Sequence, residues 1–125
     1  VEVELMLPER TDSRLTTFAA NSYLSQLLEA GVKIYQYREG FLHSKLLMVD
    51  DRIASIGSAN MDFRSLEHNF EISGFVYDPG ITKRLTTLFD QDKSACHLLT
   101  REEWEKRGRL VRFSESVMRL FAPLL

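Results

Sequence analysis

This 125-residue sequence predicts an α/β fold, a mixed β-sheet flanked by helices, and three observations carry the prediction. Residues 1–7 and 32–37 alternate side chains with a period of two, the mark of half-buried strands. Between them, residues 13–30 repeat apolar side chains at helical spacing. Residues 41–56 then read as two strands around an acidic pair, Asp50-Asp51. Strands and helices interleaved in this order build a layered α/β domain.

Taken in order, VEVELML forms the first strand, which Pro8 helps to end. Asp12 or Ser13 caps a helix running to Ala30, and Leu15, Phe18, Ala19, Leu24, Leu27 and Leu28 make its apolar face. Gly31 stands where a left-handed C-cap is expected. VKIYQY is the second strand, and Glu39-Gly40 turns the chain into a third over residues 41–49. Asp50-Asp51 makes a hairpin turn into the strand 52–56, which Gly57 breaks, and residues 70–77 form a further strand. Asp78-Pro79 opens a helix in the cap-then-proline pattern, with a stripe of Ile81, Leu85, Leu88 and Phe89. Thr100 with Glu103 is a capping box for a short helix carrying Trp104. A last helix over 114–122 presents Val117, Leu120 and Phe121, and Arg107, Arg109, Arg112 and Arg119 near it read as a solvated face.

The length implies a single domain over 1–125 with room for a core. A formal net charge of −2 gives no global attraction to nucleic acid or to anionic lipid, so any basic surface is local and nucleic acid is disfavoured as a partner. The single Cys96 has no internal disulfide partner and reads as a small apolar residue. No run of about eighteen apolar residues spans a bilayer, and no signal peptide opens the chain. The chain begins on Val, already in strand pattern, which suggests a piece of a longer protein.

Chemistry concentrates between residues 41 and 77, where His43, Lys45, Asp50, Gly57, Ser58, Asn60, Asp62, Arg64, Ser65, Asn69 and Glu71 are threaded among apolar runs. One His and one Lys on a strand ordinarily belong to a solvated face. The alternation of strand side chains puts His43 and Lys45 on one face, a poor arrangement for a core and a good one for receiving a phosphate. A neutral imidazole is a nucleophile near neutral pH, and an ammonium neutralises a non-bridging oxygen. Ser58 and Asn60, just past Gly57, can donate to the remaining phosphate oxygens. No metal or other cofactor is required. His43, His68 and His97 lack the spacing of a zinc site, and neither a G-x-S-x-G elbow nor a Walker loop is present.

The full spacing, His-x-Lys, four residues, Asp, six residues, Gly-Ser-x-Asn, resembles the HKD motif of the phospholipase D superfamily, which implies a phospholipase D-like domain. The stretch GSANMDFRS with Asn69 and Glu71, GVKIYQYREGFLHSK before it and RLFAPLL at the end resemble the C-terminal half of bacterial cardiolipin synthases. That resemblance implies a phosphatidyltransferase: phosphatidylglycerol gives a phosphohistidine and glycerol, and a second phosphatidylglycerol takes the phosphatidyl group to make cardiolipin. It gives Glu71 the role of pairing with His43. Asp50 joins the catalytic set in a supporting or structural hydrogen-bonding role, and Asp62, Arg64, Ser65 and Asn69 become head-group or structural residues. It also implies anionic phospholipid as partner, and a parent protein at the cytoplasmic side of the bacterial inner membrane.

The chain departs from the resemblance in one respect: it carries one HKD motif where such synthases carry two. Either a second half supplies the other motif or two copies pair, and either histidine of a two-motif site can be the nucleophile. A single-motif homodimeric phosphodiesterase, nuclease or phospholipase D is the alternative enzyme, and a non-catalytic phosphate-binding module is a third reading.

Overall fold

A computed structural model describes residues 1–9, 14–60, 65 and 67–108. They fall into two compact units: Val1–Leu42 with the chain from Cys96 onward, and His43–Ala95.

The first unit is a β-α-β crossover closed by a third strand. Strand β1 (Glu4–Pro8) leads to helix α1 (Arg14–Glu29) and then to β2 (Lys33–Tyr37), which runs parallel to β1 from Glu4 opposite Lys33 to Pro8 opposite Tyr37. Pro8 is tolerated as the last residue of β1 because, among the described residues, β1 lies at the edge of its sheet. Helix α1 ends in a Schellman motif: the Gly31 N–H donates to the Leu28 carbonyl at 3.1 Å and the Val32 N–H to the Leu27 carbonyl at 3.0 Å. Gly31 has φ +83°, the left-handed conformation its place in the sequence predicts. The expected cap at Asp12 or Ser13 and the side chains of Leu15, Phe18 and Ala19 lie outside what is described.

A strand that the sequence reading missed, β6 (Cys96–Leu99), pairs antiparallel with β2, making a mixed three-stranded sheet of order β1-β2-β6. Four residues wedged between a helix end and a capping box carry too little alternation to announce a strand. The core joins Leu24, Ile34, Leu99 and Trp104, with Leu7, Leu27, Leu28 and Val32 against it. Trp104 rides on a short helix, α3 (Arg101–Glu105), whose predicted capping box is complete: the Thr100 hydroxyl accepts from the Glu103 N–H and the Glu103 carboxylate from the Thr100 N–H. The indole N–H donates to the Ser25 hydroxyl at 3.0 Å, so burying the ring leaves no donor unpaired. Arg107 does not stand free in solvent: it lies over the Trp104 ring and donates from Nε to the Trp104 carbonyl.

The second unit is an antiparallel meander, β3 (Leu46–Val49), β4 (Ile53–Gly57) and β5 (Ser73–Val76), followed by helix α2 (Pro79–Asp92) and a 3₁₀ turn at Lys93–Ala95. The hairpin register runs from Val49 opposite Ile53 to Leu46 opposite Ile56, and Gly57 faces Ser73. Asp50 and Asp51 form the predicted turn with φ of 49° and 52°, and the Arg52 N–H donates to the Val49 carbonyl at 3.0 Å. Aspartate tolerates the left-handed region better than most residues, which accounts for the acidic pair.

Asp78 caps α2 by accepting the Ile81 N–H at 2.7 Å, with Pro79 in the first turn. The stripe differs from expectation: Leu85 and Phe89 are half-buried as predicted, whereas Ile81 and Leu88 are exposed and Thr82 is fully buried. Its hydroxyl donates to the Asp78 carbonyl at 2.8 Å, which lets a polar residue take the innermost place. Helix α2 packs on β3 and β4.

The α/β class is as predicted; the strands form one mixed and one antiparallel sheet. The expected helix over 114–122 lies outside the described residues, as do Arg109, Arg112 and Arg119. Among the described residues no helix is long and apolar enough to cross a membrane.

Candidate active site

The polar set gathers at one end of the second unit's sheet. Expectation placed His43 and Lys45 within a strand, but β3 starts only at Leu46 and both residues stand just before it. Lys45 still prolongs the ladder by one bond, its carbonyl accepting from the Gly57 N–H at 3.2 Å. Lys45, Gly57 and Ser73 therefore form one row across the sheet. In the middle of that row a side chain is excluded: a Cβ on Gly57 would lie 2.5 Å from the Ile72 carbonyl oxygen and 2.5 Å from the Ser73 hydroxyl. Gly57 was expected to break the strand; it is the last residue of β4, and its bareness lets the chain entering β5 come close.

Past Gly57, Ser58 binds the approach to β5. Its N–H donates to the Ile72 carbonyl at 3.0 Å and its hydroxyl accepts from the Ile72 N–H at 3.0 Å. The same hydroxyl donates to one oxygen of Glu71 at 2.5 Å, while the Asn69 amide donates to the other at 3.3 Å. Glu71 is half-buried and Ser65 buried, with 7% of its surface exposed. The hydroxyls of Ser58 and then Ser65 hold the Glu71 carboxyl below the usual carboxylate range; desolvation opposes them, and the Asn69 amide and Lys45 charge add to them. Glu71 is thus an anion well below neutral pH.

Lys45 donates from Nζ to the His43 carbonyl at 2.9 Å, folding the ammonium back toward the residue it accompanies. His43, Ser58 and Asn60 are exposed. The structure thus joins Lys45, Ser58, Ser65, Asn69 and Glu71, with His43 tied to Lys45 through the backbone. Asp62 and Arg64 lie outside the described residues.

Asp50 is not in this group. It sits at the hairpin turn, beyond the other end of β3, five residues from Lys45 or roughly 16 Å at about 3.3 Å per strand residue. Its observed part is conformational, at a turn position with positive φ. Ser58, read as a phosphate contact, spends its hydroxyl on Glu71, and Ser65, read as a head-group or structural residue, is buried with its hydroxyl acting on Glu71 as well. Gly57 belongs to the site's architecture, and its sequence signal was the glycine directly preceding Ser58. Among the described residues, no three His, Cys, Asp or Glu side chains converge as a metal would need.

Comparison with known proteins agrees on the family. The family described as "Cardiolipin synthase, PLD-like domain" matches residues 1–93, which include both sheets except β6. Cardiolipin synthase 1 of Staphylococcus epidermidis is 48% identical over all 125 residues, which make up 26% of that relative. The cardiolipin synthases of a Geobacillus species and of Clostridium perfringens are each 45% identical over the whole chain, which covers 25% and 26% of them. The chain thus spans about a quarter of the length of these curated relatives. Among solved structures, a phospholipase D family member, Nuc from Salmonella typhimurium, matches with a TM-score of 0.67 at 18% identity, over 80% of this chain and 65% of that one. At that identity the likeness concerns the fold.

Proposed function

The chain belongs to the phospholipase D-like domain family of the cardiolipin synthases, and from that premise we propose that it is one motif-bearing part, the C-terminal one, of a phosphatidyltransferase that makes cardiolipin from phosphatidylglycerol. Residues 1–125 act in it as one phospholipase D-like domain. The observation that carries the reading is the row at the end of β4, where the Ser58 hydroxyl holds Glu71 and the neighbouring Gly57 N–H bonds the carbonyl of Lys45, whose ammonium bonds the His43 carbonyl.

In this reading His43 attacks the phosphorus of phosphatidylglycerol through a ring nitrogen, and the bond from phosphorus to the glycerol oxygen breaks. The leaving oxygen takes a proton from the histidine of a second motif, and glycerol departs. The terminal hydroxyl of a second phosphatidylglycerol, deprotonated by that same histidine, then attacks the phosphohistidine. The phosphorus–nitrogen bond breaks, releasing His43 and cardiolipin. Lys45 neutralises a non-bridging oxygen in both steps, and Asn60 donates to another. Glu71, ionised across the working range, accepts from the second ring nitrogen of His43 and keeps the attacking one free of a proton. The second motif comes from the rest of a longer parent, which holds this part at the cytoplasmic face of the bacterial inner membrane against anionic lipid.

The test is lipid mass spectrometry on the parent protein incubated with phosphatidylglycerol vesicles. Cardiolipin and glycerol form in equal amounts, and His43→Ala lowers the rate by at least about a thousandfold, as for loss of a nucleophile or its acid–base partner. Phosphatidic acid without cardiolipin would make the chain a hydrolase and sink the transferase reading.

A further inference from the structure

The chemistry of Ser58 is not that of a phosphate ligand. Continuing the register from Gly57 opposite Ser73, residue 58 faces residue 72. In a regular hydrogen-bonded pair the two residues exchange both N–H to carbonyl bonds. Here one bond is regular, Ser58 N–H to the Ile72 carbonyl at 3.0 Å, while the return bond from the Ile72 N–H goes to the Ser58 hydroxyl oxygen at 3.0 Å. The side chain stands in for its own backbone carbonyl. A serine hydroxyl carries one proton, and that proton points to Glu71 at 2.5 Å; the 3.5 Å approach to the Ile72 carbonyl is too long to compete.

We propose that Ser58 is a positioning residue: its hydroxyl pins the end of β4 to the start of β5 and, with its only proton, holds the Glu71 carboxylate in place for His43. It does not donate to the phosphate. To do so it would have to release Glu71, leaving that carboxylate to Ser65, Asn69 and Lys45. The pinning also explains why hydroxyl and glycine stand together in the sequence. Gly57 permits the close approach, and Ser58 fastens what has approached. This inference rests on the phosphatidyltransferase reading for its kinetic consequences, whereas the pinning of Glu71 stands on geometry alone.

The experiment compares Ser58→Ala and Ser58→Thr in the parent protein. It measures cardiolipin formation from phosphatidylglycerol vesicles as a function of pH, and the Glu71 titration by carbon-13 labelling of glutamate with Glu71→Gln as assignment control. Ser58→Ala is expected to lower kcat roughly 10–100-fold, the range typical of partners that orient a working histidine, with KM changed less than about twofold. The Glu71 midpoint moves upward, since the hydroxyl that most favours its ionised form is gone and only Ser65, Asn69 and the Lys45 charge still favour it. Ser58→Thr, which keeps the hydroxyl, restores kcat and the Glu71 midpoint. A rise in KM with the Glu71 midpoint unmoved would make Ser58 a phosphate ligand and overturn the proposal. So would a Ser58→Ala variant indistinguishable from wild type. If the parent makes no cardiolipin, the functional reading falls, and the Glu71 midpoint alone decides the pinning: an unshifted midpoint rejects it.

Discussion

The two sheets formed by the described residues, three strands each, are held together differently. In the first unit the buried residues among those described are large and apolar, Leu24, Ile34, Leu99 and Trp104, while Thr100 and Glu103 cap a helix and Ser25 satisfies the buried indole. In the second the buried residues are Ala54, Ser65 and Thr82, small or hydroxylic, while Leu47, Phe75 and Tyr77 are more than half exposed. There the polar groups carry the organisation: a lysine carbonyl continues a ladder and a serine side chain replaces a backbone acceptor. One unit is held chiefly by what it hides from water. In the other, directed polar bonds carry more of the organisation.

The contrast breaks most easily at Trp104. Trp104→Ala removes the largest member of the first core and is expected to cost about 3–5 kcal/mol, a large share of a domain's stability. Urea unfolding followed by amide exchange checks it: protection should fall first in β2 and β6, and equal early loss in β3–β5 would show that the two units open together. Gly57→Ala probes the opposite regime. Its Cβ has nowhere to go between Ile72 and Ser73, so it should cost about 1–3 kcal/mol by overpacking. Cardiolipin formation should fall further than stability, because the displaced segment entering β5 carries Glu71; unchanged turnover would mean the close approach has no bearing on the site.

A smaller effect separates the units by pH. The Thr100 backbone N–H, then its hydroxyl, hold the Glu103 carboxyl below the usual carboxylate range, and His97 reinforces them at 3.1 Å. A depressed folded value means the contribution is fully present above the unfolded value, about 4.3, and is lost as pH falls through the folded one. The urea midpoint should therefore drop on acidification, with Glu103→Gln already lowered at neutral pH and its gap from wild type closing in acid. A gap that stays constant with pH would deny the carboxylate this role. Smallest of all is Asp50→Asn, since asparagine also accepts positive φ: stability should change by less than about 0.5 kcal/mol and turnover by less than about threefold. A loss of a hundredfold would return Asp50 to the catalytic set.

These cases also show what could be read from residues alone. The Schellman end at Gly31, the cap-then-proline start at Asp78 and the capping box at Thr100 were legible because each depends on a few neighbouring residues. Motif spacing and family resemblance singled out Lys45, Ser58 and Glu71, which stand together at one end of one sheet. What escaped depends on distant partners. Whether Ser58 faces a ligand or Glu71 is decided by the register of β4 with β5, and Asp50 leaves the site because β3 carries it to the other end. Strand β6 was invisible because four residues, Cys96–Leu99, become a strand only by pairing with β2. The stripe on α2 was misjudged because a threonine that bonds its own helix's cap residue can be buried more deeply than an isoleucine beside it.

Pro8 has a consequence at the open side of β1. The Glu9 N–H points inward, donating to the Tyr37 carbonyl at 3.0 Å, so position 8 is the one whose nitrogen faces away from the sheet. A passing strand that tried to add itself there would find no backbone hydrogen to bond at position 8. The same proline that closes the strand thereby discourages runaway stacking of one chain on the next.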